Sequence, residues 1–102
     1  MIIARGTTPT ITYTFNTVRP ADIIVAYLTL SQFGETILEK DLLSAGISET
    51  SLSWKLSQAE TLQLNSKVEV VIQCRYRLND NTAHATKKTQ IDVGEIIKEG
   101  EI

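Results

Sequence analysis

One cysteine, one histidine, one tryptophan and two prolines stand among the 102 residues, and aromatics make up only 6%. Each scarcity closes off a class of protein. A lone cysteine, Cys74, forms no internal disulfide, so stability has to come from a packed core. A lone histidine, His84, has no HxxxH or CxxC pattern around it and no second histidine, so neither a zinc set nor a Ser-His-Asp triad is framed. Charge of one sign is not in excess: 10 basic and 12 acidic residues leave a net −2. Phosphate recognition needs a basic face, so no nucleic-acid partner is expected. Long apolar runs are missing too. The best, Ile23 to Leu30, is broken by Tyr27 and Thr29 and falls well short of the ~20 residues of a membrane span. Met1 to Gly6 is too short for a secretory signal core, so synthesis in the cytoplasm with no membrane partner is the expectation.

What is present is an ordinary globular composition, 42% hydrophobic and 22% charged, which argues against disorder. A chain of this length makes one domain, residues 1–102, and buries roughly two-thirds of the surface it exposes when unfolded. No linker, repeat or low-complexity tract divides it.

The dominant pattern is alternation with a period of two in segments rich in β-branched and aromatic residues. Thr10 to Phe15 puts Ile11, Tyr13 and Phe15 on one face and threonines on the other. Asp22 to Ser31 is apolar on both faces, with Ile24, Ala26, Leu28 and Leu30 on one and Ile23, Val25, Tyr27 and Thr29 on the other. Gln32 to Glu35 reads as a hairpin turn with Gly34 supplying a positive φ, and Thr36 to Lys40 as the returning strand. Asp41 to Thr50 is read as a loop with a short strand edge. Ser51 to Leu56 alternates again around Trp54. Ser57 and Glu60 form a capping-box pattern that opens a helical turn, stopped by Asn65-Ser66 and pinned by Leu62 and Leu64. Lys67 to Leu78 is the longest strand, with Val68, Val70, Ile72, Cys74, Tyr76 and Leu78 inward and Arg75 and Arg77 outward. Asn79 to Asn81 makes a turn. A last strand from Thr82 to Val93 is expected to place Ala83, Ala85, Ile91 and Val93 on one face.

Six to eight short strands with one helical turn in a chain of this size describe an all-β protein, a β-sandwich in preference to an open barrel of similar size. Terminal arms at about 1–8 and 95–102 carry isoleucines (Ile2, Ile3, Ile97 and Ile102) outside the expected core. Such residues either contact another subunit or fold back over their own sandwich.

No candidate site points to catalysis. Cys74 reads as a small core residue, His84 as an outward-facing strand residue, and Trp54 as the centre of the core rather than a sugar platform. The carboxylates are scattered, and Glu95, Glu99 and Glu101 with Lys98 make a solvated tail. Arg5 to Pro9 contains Gly6 but lacks the lysine and the strand-to-helix context of a phosphate loop. Arg75 and Arg77 project the same way from one strand, either as a solubilising pair or as a partner contact.

The segment Ala4-Arg5-Gly6-Thr7-Thr8-Pro9-Thr10, the run Leu30-Ser31-Gln32-Phe33-Gly34 leading to Leu38-Glu39-Lys40, the stretch Leu56 to Leu62 ahead of Val70 to Arg75, and the closing Ile91-Asp92-Val93 with Ile96 together resemble short proteins encoded among the structural genes of tailed phages and prophages of Firmicutes. The resemblance spans almost the whole chain, on strand and turn signatures rather than chemical motifs. It implies an immunoglobulin-like antiparallel sandwich serving as a virion component or assembly factor of the head or the tail-baseplate region. It implies no catalytic residues, metal or cofactor. The partners implied are other virion proteins and further copies of the chain, in a product made in the host cytoplasm and carried in the virion.

Three functions compete for these residues. A phage structural protein acting by protein–protein assembly is the first, with Arg75, Arg77, Ile97 and Ile102 as its contact residues. A binding module for a carbohydrate or protein ligand is the alternative, with Phe33 as its exposed loop aromatic. An enzyme would need convergent polar groups that the sequence does not supply.

Overall fold

The computed structural model describes all of residues 1–102. Nine strands, β1 (Ile2–Ala4), β2 (Thr10–Thr14), β3 (Ile23–Gln32), β4 (Glu35–Asp41), β5 (Gly46–Ile47), β6 (Ser51–Lys55), β7 (Val70–Leu78), β8 (Ala83–Ala85) and β9 (Thr89–Gly94), are joined by one short helix, α1 (Gln58–Leu62). They form two sheets. The larger runs β1-β9-β7-β3-β4, with β8 also paired to β7, and the smaller runs β2-β6-β5. All pairings are antiparallel except β1 with β9, where Ile3 lies opposite Val93 in parallel.

The inner faces meet over Trp54, Leu28, Leu30, Leu52, Leu56, Val70, Ile72 and Cys74, all 0–1% exposed. Trp54 is the core centre that the alternation of β6 implies, and its indole N–H donates to the Asp41 carbonyl at 2.9 Å. That bond satisfies the one polar atom the ring brings inside. Gln32, 2% exposed at the end of β3, accepts from the backbone of Asn65 at 2.8 Å and donates to its carbonyl at 2.7 Å. Its amide ties the β3–β4 turn to the loop after α1.

The helix starts as its sequence dictates. Ser57 accepts from the Glu60 backbone and Glu60 reaches back to the Ser57 N–H, a complete capping box. The β3–β4 connection is a two-residue turn in which Phe33 and Gly34 both have positive φ, +55° and +74°. That is the primed geometry that matches the twist of a hairpin. Gly34 takes it freely; Phe33 takes it against the sterics of a bulky side chain.

Three expectations are corrected. First, the face assignment at the start of β3 inverts: Ile23 is buried and Ile24 is 47% exposed. A register shift against β7 between Ile23 and Val25 moves each side chain to the opposite face. Second, the last strand is not one continuous run with Ala83 and Ala85 inward. The alanines are exposed while Ile91 and Val93 are buried. Ala85 pairs with Arg75, whereas Thr89 pairs with Ile72, so the break at 86–88 contains one residue more than the partner strand. That extra residue is a bulge, and it flips the phase. Third, Ile3 is no arm residue: it is 1% exposed inside the core, held there by the backbone ladder of β1 with β9.

Candidate protein interface

The outer faces of the two sheets carry different chemistry. On the smaller sheet, β2 presents Thr10, Thr12 and Thr14 and β6 presents Ser51, Ser53 and Lys55. On the larger sheet the strand register lays out a grid. Asp41, Tyr27, Arg75 and Ala85 form one row across β4, β3, β7 and β8; Glu39, Thr29 and Gln73 form the next; Val25, Arg77 and Ala83 form a third. Residues directly opposite in antiparallel strands share a face, so these side chains stand together toward solvent.

Arg75 and Arg77 therefore project where the alternation of β7 places them. Both are exposed, and the ion pairs of the chain, Arg5–Glu99, Arg19–Asp22 and Lys40–Glu60, engage neither. Between them and Glu39 lies Tyr27, 44% exposed. The surface dips beside it into an open depression of about 420 Å³ lined by Val25, Tyr27, Thr29, Glu39, Arg77 and Ala83 among others. The small side chain of Ala83 on β8, turned outward by the bulge, forms part of its wall.

The other two expected contact residues lie elsewhere. Ile97 and Ile102 are fully or almost fully exposed, in a C-terminal segment that folds back along α1. Arg5 holds it. Its guanidinium donates to the carbonyls of Leu64 at 2.9 Å and Leu62 at 3.1 Å, and pairs with Glu99 at 2.8 Å. The backbone N–H of Ile102 donates to the Gln58 side chain at 2.7 Å, which returns a bond to the Ile102 carbonyl. Gly6 takes φ +73° and lies under Ile96: a Cβ there would stand 3.1 Å from the Ile96 Cδ1, a tight contact that the Ile96 side chain would have to yield to. The Arg5-Gly6 pair thus acts as a clamp for the tail, a role that the sequence alone left unread.

Cys74, His84 and Glu60 each sit in defined contacts. Cys74 is fully buried, and burial pushes its thiol up to about 11, leaving it a thiol at neutral pH. His84 is exposed; its ring stacks on Tyr76 at 5.3 Å and meets the Thr82 hydroxyl at 3.0 Å. Glu60, where burial raises the carboxyl and the bonds from Ser57 and Lys40 outweigh it, ionises below its usual range. No three His, Cys, Asp or Glu side chains converge on a point, and no helix is long and apolar enough to cross a membrane.

No protein-family model and no curated protein matches the chain. Among solved structures it is similar to the immunoglobulin-like domain of mouse leukocyte-associated immunoglobulin-like receptor 1, determined as a strand-swapped dimer. The two share 16% identity and superpose with a TM-score of 0.50, over 91% of this chain and 85% of that one. The fold is an immunoglobulin-like sandwich.

Within that frame, β2 and β7 occupy facing sheets where antibody domains carry an inter-sheet disulfide. Here Cys74 is unpaired, and the aromatic contact between the sheets is Phe15, just after β2, against Tyr76 of β7, ring centres 5.2 Å apart and edge to face. At this identity the likeness concerns the fold and carries no partner with it.

Proposed function

We propose that this chain is a non-enzymatic structural component of a tailed phage or prophage particle, of the head or the tail-baseplate region, working by protein–protein assembly. The observation that carries the reading is the outer face of the larger sheet. It displays Tyr27 and two arginines without intrachain ion pairs around a hollow, while the opposite face of the sandwich is a field of hydroxyls. Tyrosine and arginine are the residues that carry binding energy at protein contacts. The resemblance of the Ala4–Thr10, Leu30–Lys40 and Val70–Arg75 segments to phage structural proteins supplies the setting. In that setting the chain is made in the host cytoplasm, carried in the virion, and binds other virion proteins and its own copies.

Mass spectrometry of gradient-purified particles from a producing host tests the reading. Peptides of this chain in fixed ratio to the other particle proteins are the expected result, and particles that lack it would overturn the assignment.

A second reading, a binding module for a carbohydrate or protein ligand, is favoured by Phe33. That side chain is 69% exposed at the tip of the β3–β4 turn in a left-handed conformation, and strained residues cluster at ligand contacts. Binding to a glycan array that disappears in Phe33→Asn would support it over the first; an array with no bound glycan counts against the carbohydrate form.

A further inference from the structure

The occupant of the larger sheet's outer face follows from how its charges are distributed. The acidic residues, Glu39 and Asp41, are on β4; the basic ones, Arg75 and Arg77, are on β7; and β3, with Tyr27, runs between them. A surface that is negative on one side of a central strand and positive on the other is complementary to itself. Consider a two-fold axis lying in the plane of contact and crossing β3 obliquely at Tyr27. It exchanges β4 with β7, so the acidic side of each copy lies over the basic side of the other. Tyr27 meets Tyr27 at the axis, and no arginine is set against an arginine. The same operation offers a protruding aromatic ring and a neighbouring hollow of about 420 Å³ to their counterparts. A two-fold interface needs this property: one patch that serves as both partners.

We infer that the outer face of β4-β3-β7-β8 is a homodimer interface, with Glu39 and Asp41 of each copy engaging Arg75 and Arg77 of the other around paired Tyr27 rings. This rests on the assembly reading above and names the surface and the partner it uses. The size of the face sets the strength. At ~3.4 Å per residue and ~4.8 Å between strands, the 10, 7, 9 and 3 residues of β3, β4, β7 and β8 cover on the order of 500 Å², below the ~800 Å² per partner of a standard stable complex. The dimer is therefore weak and reversible in free solution, and it is reinforced where a particle holds many copies side by side. Because Coulomb attraction orients it, added salt weakens it.

The test uses the whole chain and two charge reversals. Light scattering or sedimentation over a concentration range gives the dimer dissociation constant for the native protein, for Arg75→Glu and for Glu39→Arg, with circular dichroism to verify that each is folded. Both reversals are expected to weaken self-association by about tenfold or more, since each sets like charges together. An equimolar mixture of the two is expected to associate again, at least as tightly as the native protein, because every contact between unlike copies then has opposite signs. Recovery in the mixture separates a direct contact from damage to the fold. If the native protein dimerises and neither reversal changes the constant, the surface is wrong while the assembly reading stands. A native protein that stays monomeric at every concentration overturns the dimer, and its presence or absence in particles then decides the assembly reading separately.

Discussion

The two outer faces of the sandwich come from strands of similar alternation and end with opposite characters. The smaller sheet turns Thr10, Thr12 and Thr14 with Ser51 and Ser53 to solvent, short side chains that suit a pleated surface and keep water close. The larger sheet turns out Val25, Tyr27, Arg75 and Arg77, long or apolar groups that gain most when something covers them. The first face is complete in water; the second is the one proposed above to take a partner. In this sandwich the outer face of the larger sheet departs from the hydroxyl pattern, and the proposed contact rests on that departure.

The largest expected effect removes what both faces stand on. Trp54→Ala takes out the fully buried indole and its bond to the Asp41 carbonyl and should cost about 3–5 kcal/mol. Denaturant unfolding checks this. A loss below about 1 kcal/mol would mean that the sheets are not joined through this residue. Ser57→Ala comes next, at about 1 kcal/mol from the lost cap of α1, and it should leave both faces unchanged in any binding assay.

A pH effect of similar locality follows from Glu60. Its carboxyl ionises below the ordinary value of 4.5 in the folded protein, through its bonds to Ser57 and Lys40. The stability it adds is present above that value and is lost as pH falls through the lower folded one. Urea midpoints should therefore fall on acidification through this window in the native protein, and Glu60→Gln should flatten that part of the profile. Equal slopes would remove Glu60 from the account.

The smallest stability effects discriminate best between the two faces. Tyr27→Ser and Thr12→Ala are both surface changes and should each move stability by no more than about 0.5 kcal/mol. Only the first should weaken self-association. If Thr12→Ala does so instead, the solvated and partner-binding faces have been assigned the wrong way round.

Much of this was legible in the residues. Period-two alternation placed β2, β6 and β7 and pointed Arg75 and Arg77 outward, while Ser57 with Glu60 marked the start of α1 to the residue; its end, at Leu62, comes earlier than the expected stop at Asn65-Ser66. Two of the three failures share one cause. A single unpaired residue near Ile24, and another at 86–88, shift phase without any signature in composition, so Ile23 and Ile24 exchanged faces and Ala83 and Ala85 turned outward. Ile3 was missed because three residues are too few to show a period, and its strand exists only by pairing with distant β9. The candidate face was half visible. The arginines could be read along β7, but the row-mates of Arg75 (Tyr27 and Asp41) and of Arg77 (Val25) come from other strands, and strand order is not written in local pattern.

The most direct measurement is a dilution series followed by backbone amide chemical shifts in the native protein. Shifts that move with concentration at Val25, Tyr27, Thr29, Glu39, Arg75 and Arg77, while Thr10, Thr12, Ser51 and Ser53 hold still, are what the account predicts. Movement on the hydroxyl face instead, or on neither face, would contradict it.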